Sequence, residues 1–103
     1  MALTGKQKRV LRSKGQLLDP SVFIGKEGVS DAAVAATEDA LKTRELLKVR
    51  VLNNAPELRD DTAAALAART HSDIAGAVGH TFLLYRPNPE LKRRIELPPA
   101  KAE

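Results

Sequence analysis

Residues Leu47-Lys48-Val49-Arg50-Val51 alternate between apolar and basic side chains, the period-two pattern of a strand with one face buried and the other solvated. Leu47, Val49 and Val51 point one way, and Lys48 and Arg50 the other. Elsewhere the pattern changes period. Thr4-Gly5-Lys6-Gln7 has capping-box spacing and predicts a helix over about 5–14, closed by Gly15 as a left-handed terminal residue. Its apolar content, Val10 and Leu11, is thin, so most of this helix is charged surface. The Leu17-Leu18-Asp19-Pro20 connector leads to a short strand, Ser21-Val22-Phe23-Ile24. A second helix starts at the cap Ser30 and runs to about Arg44, with Ala33, Val34, Ala36, Ala40 and Leu41 for an apolar side.

Asn53-Asn54 ends the alternating strand, and Pro56 is expected at the first position of a third helix reaching about Thr70. Two more strands, about 73–78 and 81–86, flank Gly79-His80 as a hairpin. Gly76 and Gly79 fit best at an edge, a bulge or a close contact. The order is thus α-β-α-β-α-β-β, an α/β two-layer fold with a four-stranded mixed sheet. Right-handed crossovers put the second and third helices on one face and leave the other open, with Lys48 and Arg50 on it. The domain spans 1–87. Residues 88–103, rich in proline and base, are expected to be an extended or partly disordered tail.

Charge sharpens this picture. The 103 residues carry a net charge of +4. Residues 1–15 hold Lys6, Lys8, Arg9, Arg12 and Lys14 with no acid, and residues 86–94 hold Arg86, Lys92, Arg93 and Arg94 against Glu90. Two such clusters suit a polyanionic partner if they converge in space, and are otherwise solvated charge runs. No apolar run approaches the ~20 residues of a membrane span, no signal-peptide core stands at the N-terminus, and there is no cysteine. A cytoplasmic protein is expected.

Gly25-Lys26-Glu27-Gly28 lies between the first strand and the second helix. Two glycines three apart let a ligand approach the backbone closely. Lys26 adds a mobile charge, and the helix start near Ser30 offers a seat for a phosphate. Gly-x-x-Gly loops clamp the nucleic-acid backbone in KH domains, although many plain turns share the pattern.

Taken with Glu45-Leu46-Leu47-Lys48-Val49 and Val78-Gly79-His80-Thr81-Phe82-Leu83-Leu84-Tyr85-Arg86-Pro87, this loop makes the chain resemble the CRM domain (chloroplast RNA splicing and ribosome maturation) in its small bacterial YhbY-like form, over about residues 3–87. The resemblance implies a fold similar to the C-terminal domain of translation initiation factor three. It also implies RNA binding through Gly25, Lys26, Glu27 and Gly28 and a basic surface. Members of the family are linked to large-subunit precursors in bacteria and to group II introns in plants. Glu27 departs from what a phosphate seat favours, because an acid there weakens the local field unless it faces away or pairs with Lys26.

The expected function is therefore that of an RNA-binding ribosome assembly factor contacting ribosomal RNA of the large-subunit precursor. Its contacts would be the loop with Lys6, Lys8, Arg9, Arg12, Lys14, Lys48 and Arg50. The alternative is a protein–protein module docking on a ribosomal protein or assembly factor. Phe23 and Phe82 are expected in the core, and Tyr85 packed with its hydroxyl paired, so recognition would rest on backbone charge and RNA shape more than on stacking. Arg86 could anchor the chain end. His71, Asp73 and His80 form no metal set, Asp60-Asp61 reads as exposed helix surface, and Ser13, Ser21, Ser30 and Ser72 lack a nucleophile setting. An enzyme is not expected, nor a cofactor, a metal or a small-molecule substrate; the partner is RNA and the chain a monomer.

Overall fold

A computed structural model describes residues 3–99. Its elements are α1 (Gly5–Gly15), β1 (Val22–Ile24), α2 (Asp31–Leu41), β2 (Leu46–Val51), α3 (Arg59–Thr70), β3 (Asp73–Val78) and β4 (Thr81–Tyr85). The strands form one mixed sheet in the order β1-β2-β4-β3. β1 runs parallel to β2, with Phe23 opposite Arg50. β4 is antiparallel to both its neighbours, with Arg50 opposite Thr81 and Thr81 opposite Val78. The element order and the mixed sheet are those read from the sequence.

Both crossover helices lie on one face, as their right-handed connections require. There Val22, Ile24, Val49, Val51, Phe82 and Leu84 pack against Ala63, Leu66 and Ala67 of α3, with Ala33 and Val34 of α2 alongside. The small side chains of α3 let the helix lie close to the sheet. Arg86 ties the layer together: its Nη1 donates to both carboxylate oxygens of Glu38 on α2, at 2.9 and 3.1 Å, and to the Thr70 carbonyl at the end of α3, at 2.8 Å. The anchoring role read from the sequence is what this side chain performs.

The opposite face is covered in part, where the sequence suggested an open surface. α1 lays Leu11 on Leu46, Ala75, Leu83 and Tyr85, with Leu3, Leu18, Ile95 and Leu97 at the margin. Gly15 makes this contact possible. It does not adopt the left-handed conformation expected of a helix terminator; instead a Cβ there would stand 2.4 Å from Leu83 Cδ1. The Thr4–Gln7 capping box forms as predicted, and Gln7 also donates its side-chain amide to the Pro98 carbonyl at 2.9 Å.

Two boundaries differ from the sequence reading. α2 stops at Leu41. α3 begins at Arg59 behind Leu58, which offers no side-chain cap, and Pro56 packs against Gly28 instead of opening the helix. The tail has neither helix nor strand through residue 99 but is anchored by the buried Glu45. The Glu45 carboxylate accepts from the backbone N–H of Asn88 at 2.6 Å and of Ile95 at 2.7 Å, and from Arg94 Nε at 3.0 Å. Burial alone would raise its pKa, yet these donors together hold it below the usual carboxylate value. Tyr85 is pushed up, by burial and then by the Glu45 charge. Residues 100–103 of the predicted tail lie outside the described residues.

Candidate nucleic-acid interface

The Gly25–Gly28 loop follows β1, the edge strand of the sheet, and turns the chain into α2. A hydrogen bond from Gly28 N–H to the Gly25 carbonyl at 3.0 Å closes the turn. Gly28 has φ +64, and a Cβ there would meet Pro56 Cγ at 3.0 Å, so this position accepts little besides glycine. Gly25 differs. Its φ is not positive, and a Cβ would meet only Asn54 Oδ1 at 3.5 Å and Leu52 Cδ1 at 3.7 Å, ordinary contact distances. Gly28 serves the turn, while Gly25 leaves room above the backbone.

Lys26 and Glu27 stand exposed at the tip, and among the described residues neither side chain enters a hydrogen bond or an ion pair. Glu27 therefore does not neutralise Lys26. At the start of α2, Ser30 Oγ accepts from Ala33 N–H at 3.1 Å. Asp31 follows in the first turn and is paired with Arg69 Nη2 at 2.7 Å, while Arg69 Nη1 holds the Val29 carbonyl at 3.0 Å. Arg69 thus fixes the loop exit and cancels an acid that would repel an anion. The Ser30 cap takes up one of the donors at the helix start.

The basic residues fall into separate zones. Arg12 and Lys48 line one depression on the second sheet face, where the stem of Arg12 crosses Gly76. Arg50 lies on the same face two residues beyond Lys48, exposed, and opposite Phe23 in register. Strand periodicity and register therefore place Arg50 and Lys48 on one face with Arg12 beside Lys48, a basic track whose Arg50 end lies next to β1, the strand that leads into the loop. Lys6, Arg9 and Lys14 share the outward side of α1, and Lys14 also meets Arg44 and Arg93 at the far end of β2. Lys14 of the N-terminal cluster and Arg93 of the C-terminal one thus line one depression, while Arg86 and Arg94 are paired with Glu38 and Glu45. Lys8 turns to the β3 edge beside Asp73 and is not part of the track. His71 closes α3 in the left-handed conformation, φ 54, and His80 gives its carbonyl to Val51 N–H in the hairpin.

Phe23 corrects the sequence reading. Phe82 is fully buried, as expected, and Tyr85 is buried too, but Phe23 is 56% exposed. Val22 and Ile24 point into the α2–α3 core, and alternation sends Phe23 to the other face, beyond the end of the α1 cover. The signal was available in that alternation, once one face of the sheet is covered by α2 and α3 and the other only in part by α1.

Comparison with known proteins agrees with this architecture. The family model for the CRS1 / YhbY (CRM) domain matches residues 3–86. The chain is 46% identical over 96 residues to the Bacillus subtilis protein named "Probable RNA-binding protein YqeI", covering 93% of this chain and 99% of that one. It is 34% identical to a Haemophilus influenzae protein named "RNA-binding protein", covering 93% of this chain and 95% of the other. Among solved structures, the solution structure of the hypothetical protein SAV1595 from Staphylococcus aureus, described as "a putative RNA binding protein", superposes with a TM-score of 0.81 at 39% identity. It covers 94% of this chain and all of that one. With the family model spanning nearly the whole described chain and the fold matching, this protein belongs to the CRS1 / YhbY (CRM) domain family.

Proposed function

We propose that this chain is a non-catalytic RNA-binding protein that contacts ribosomal RNA of the large-subunit precursor during assembly. The observation that supports this reading is the placement of an exposed loop, with room above Gly25, directly after Phe23, whose register partner Arg50 shares a face with Lys48 and Arg12. Lys26 holds a phosphate as a point charge, and Gly25 admits the sugar–phosphate chain without a side chain in its way. The basic side of α1, with Lys6, Arg9 and Lys14, lengthens the footprint. Names given to relatives at 34–46% identity support the same partner class.

Filter binding to a large-subunit RNA fragment across a salt series tests this. Each phosphate contact contributes about −0.7 to −0.9 to the log–log slope, so a track of three or four cations gives a slope of about −2 to −3.6. Gly25→Asp fits the space available yet sets a negative charge on the phosphate path. It should retain the fold and weaken binding about fivefold or more, from the ~1 kcal/mol repulsion of two charges at 4 Å in water. Salt-independent binding, or unchanged affinity of Gly25→Asp, refutes the loop-centred reading. Comigration with ribosomal particles that survives nuclease points instead to docking on protein.

A further inference from the structure

We propose that Phe23, flanked by Arg50, is a base-stacking platform beside the loop, so that the preferred ligand is RNA with an unpaired nucleotide there. This rests on the RNA-binding reading above and specifies its ligand. Four observations carry it. Phe23 is the one phenylalanine left more than half exposed, whereas its strand neighbours Val22 and Ile24 are buried. It lies on the edge strand two residues before Gly25, about 7 Å along an extended chain. It lines the same concavity as Gly25, Lys26 and Gly28. Arg50 stands directly opposite it in register on the neighbouring strand, about 5 Å away.

The chemistry follows from this placement. A nucleotide whose phosphate rests at Lys26 and Gly25 directs its base back along β1, onto the ring of Phe23. An aromatic face stacks any base, and the Arg50 guanidinium can extend the platform or take the neighbouring phosphate. A base held in a duplex is already stacked and offers no free face, so the platform distinguishes unpaired from paired RNA. Lys48 and Arg12 lie farther along the face and accept the following phosphates.

The test compares a 12-nucleotide oligouridine with an abasic ribose-phosphate oligomer of equal length and charge, for the wild type, Phe23→Ala and Phe23→Trp. The wild type should bind oligouridine about five- to hundredfold more tightly than the abasic chain, the range that base–aromatic stacking spans. Phe23→Ala should lose that preference with no change in salt slope, since no charge is removed. The chain has no tryptophan, so Phe23→Trp introduces a single indole emitter whose fluorescence should be quenched by oligouridine and not by the abasic oligomer. Equal binding of both oligomers by the wild type, or unquenched indole emission from Phe23→Trp in a saturated complex, overturns the stacking platform while leaving the backbone clamp standing. Failure of both oligomers to bind, together with the ribosomal RNA fragment, overturns the RNA-binding reading and this inference with it.

Discussion

Glu45 offers the clearest test of how the tail is held. Its carboxylate has no exposed side-chain surface, and its two oxygens accept three donors: Asn88 N–H and Arg94 Nε on Oε2, Ile95 N–H on Oε1. Glu45→Gln keeps the shape but supplies one acceptor in place of two. Whichever way the amide turns, its NH₂ faces at least one backbone N–H that formerly donated to oxygen. A buried donor left unsatisfied costs about 1–3 kcal/mol, and a retained bond falls to roughly half its charge-assisted strength. The change should therefore cost about 2–3 kcal/mol in total. Arg94 is a control. It is 45% exposed, so Arg94→Ala should cost only about 0.5–1 kcal/mol, the range of a solvent-screened pair.

For a domain of this size about 1 kcal/mol corresponds to roughly 4–8 °C, so Glu45→Gln should lower Tm by about 10–20 °C and Arg94→Ala by about 5 °C. Thermal unfolding followed by far-UV circular dichroism reads both. Amide exchange should show Asn88 and Ile95 losing protection in Glu45→Gln ahead of the sheet. A Tm drop under about 4 °C for Glu45→Gln, or one no larger than that of Arg94→Ala, would mean that the buried carboxylate does not anchor the tail.

Acid should act through the same group. The folded state holds Glu45 below its usual value of 4.5, so its contribution is present above that pH and is lost as pH falls through the lowered folded-state value; urea midpoints of wild type and Glu45→Gln should converge as the pH is taken below 4.5, and a constant gap would refute this. Gly28→Ala should cost about 1–2 kcal/mol through its left-handed backbone, with Pro56 adding to it, while Gly25→Ala should stay within about 0.5 kcal/mol; equal costs would show that the two loop glycines are interchangeable. Gly15→Ala drives a methyl into Leu83 and should cost about 1–3 kcal/mol by urea unfolding, an effect absent if α1 can lift freely. Glu27→Gln removes the unpaired acid at the loop tip and should raise RNA affinity about fivefold in filter binding; no change would place the phosphate away from residue 27.

Much of the fold was legible in local pattern because local pattern reports local physics. Period-two alternation in 47–51, the Thr4–Gln7 box, the Ser30 cap and the Gly79-His80 hairpin each express an interaction made within a few residues. Pro56 misled for the same reason: its fixed φ suits a first helical turn, but its contact with Gly28, far off in the chain, keeps it outside the helix. The burial of Glu45 carried no signal, since a single acid before a strand reads the same whether solvated or buried under a returning tail.

The amino-acid sequence alone determined the order of elements, the glycine loop and the alternation that sets Lys48 and Arg50 opposite the main core, because each depends on backbone preference and on side-chain period. Only the tertiary structure decided which part of the second sheet face α1 covers. That choice separates Leu46, Leu83 and Tyr85, buried beneath the helix, from Phe23 and Arg50, left bare beside the loop. The reason is geometric. Side-chain period tells a strand which residues share a face, but coverage of that face is decided by a helix arriving from elsewhere in the chain, docked through a glycine just wide enough to seat Leu83.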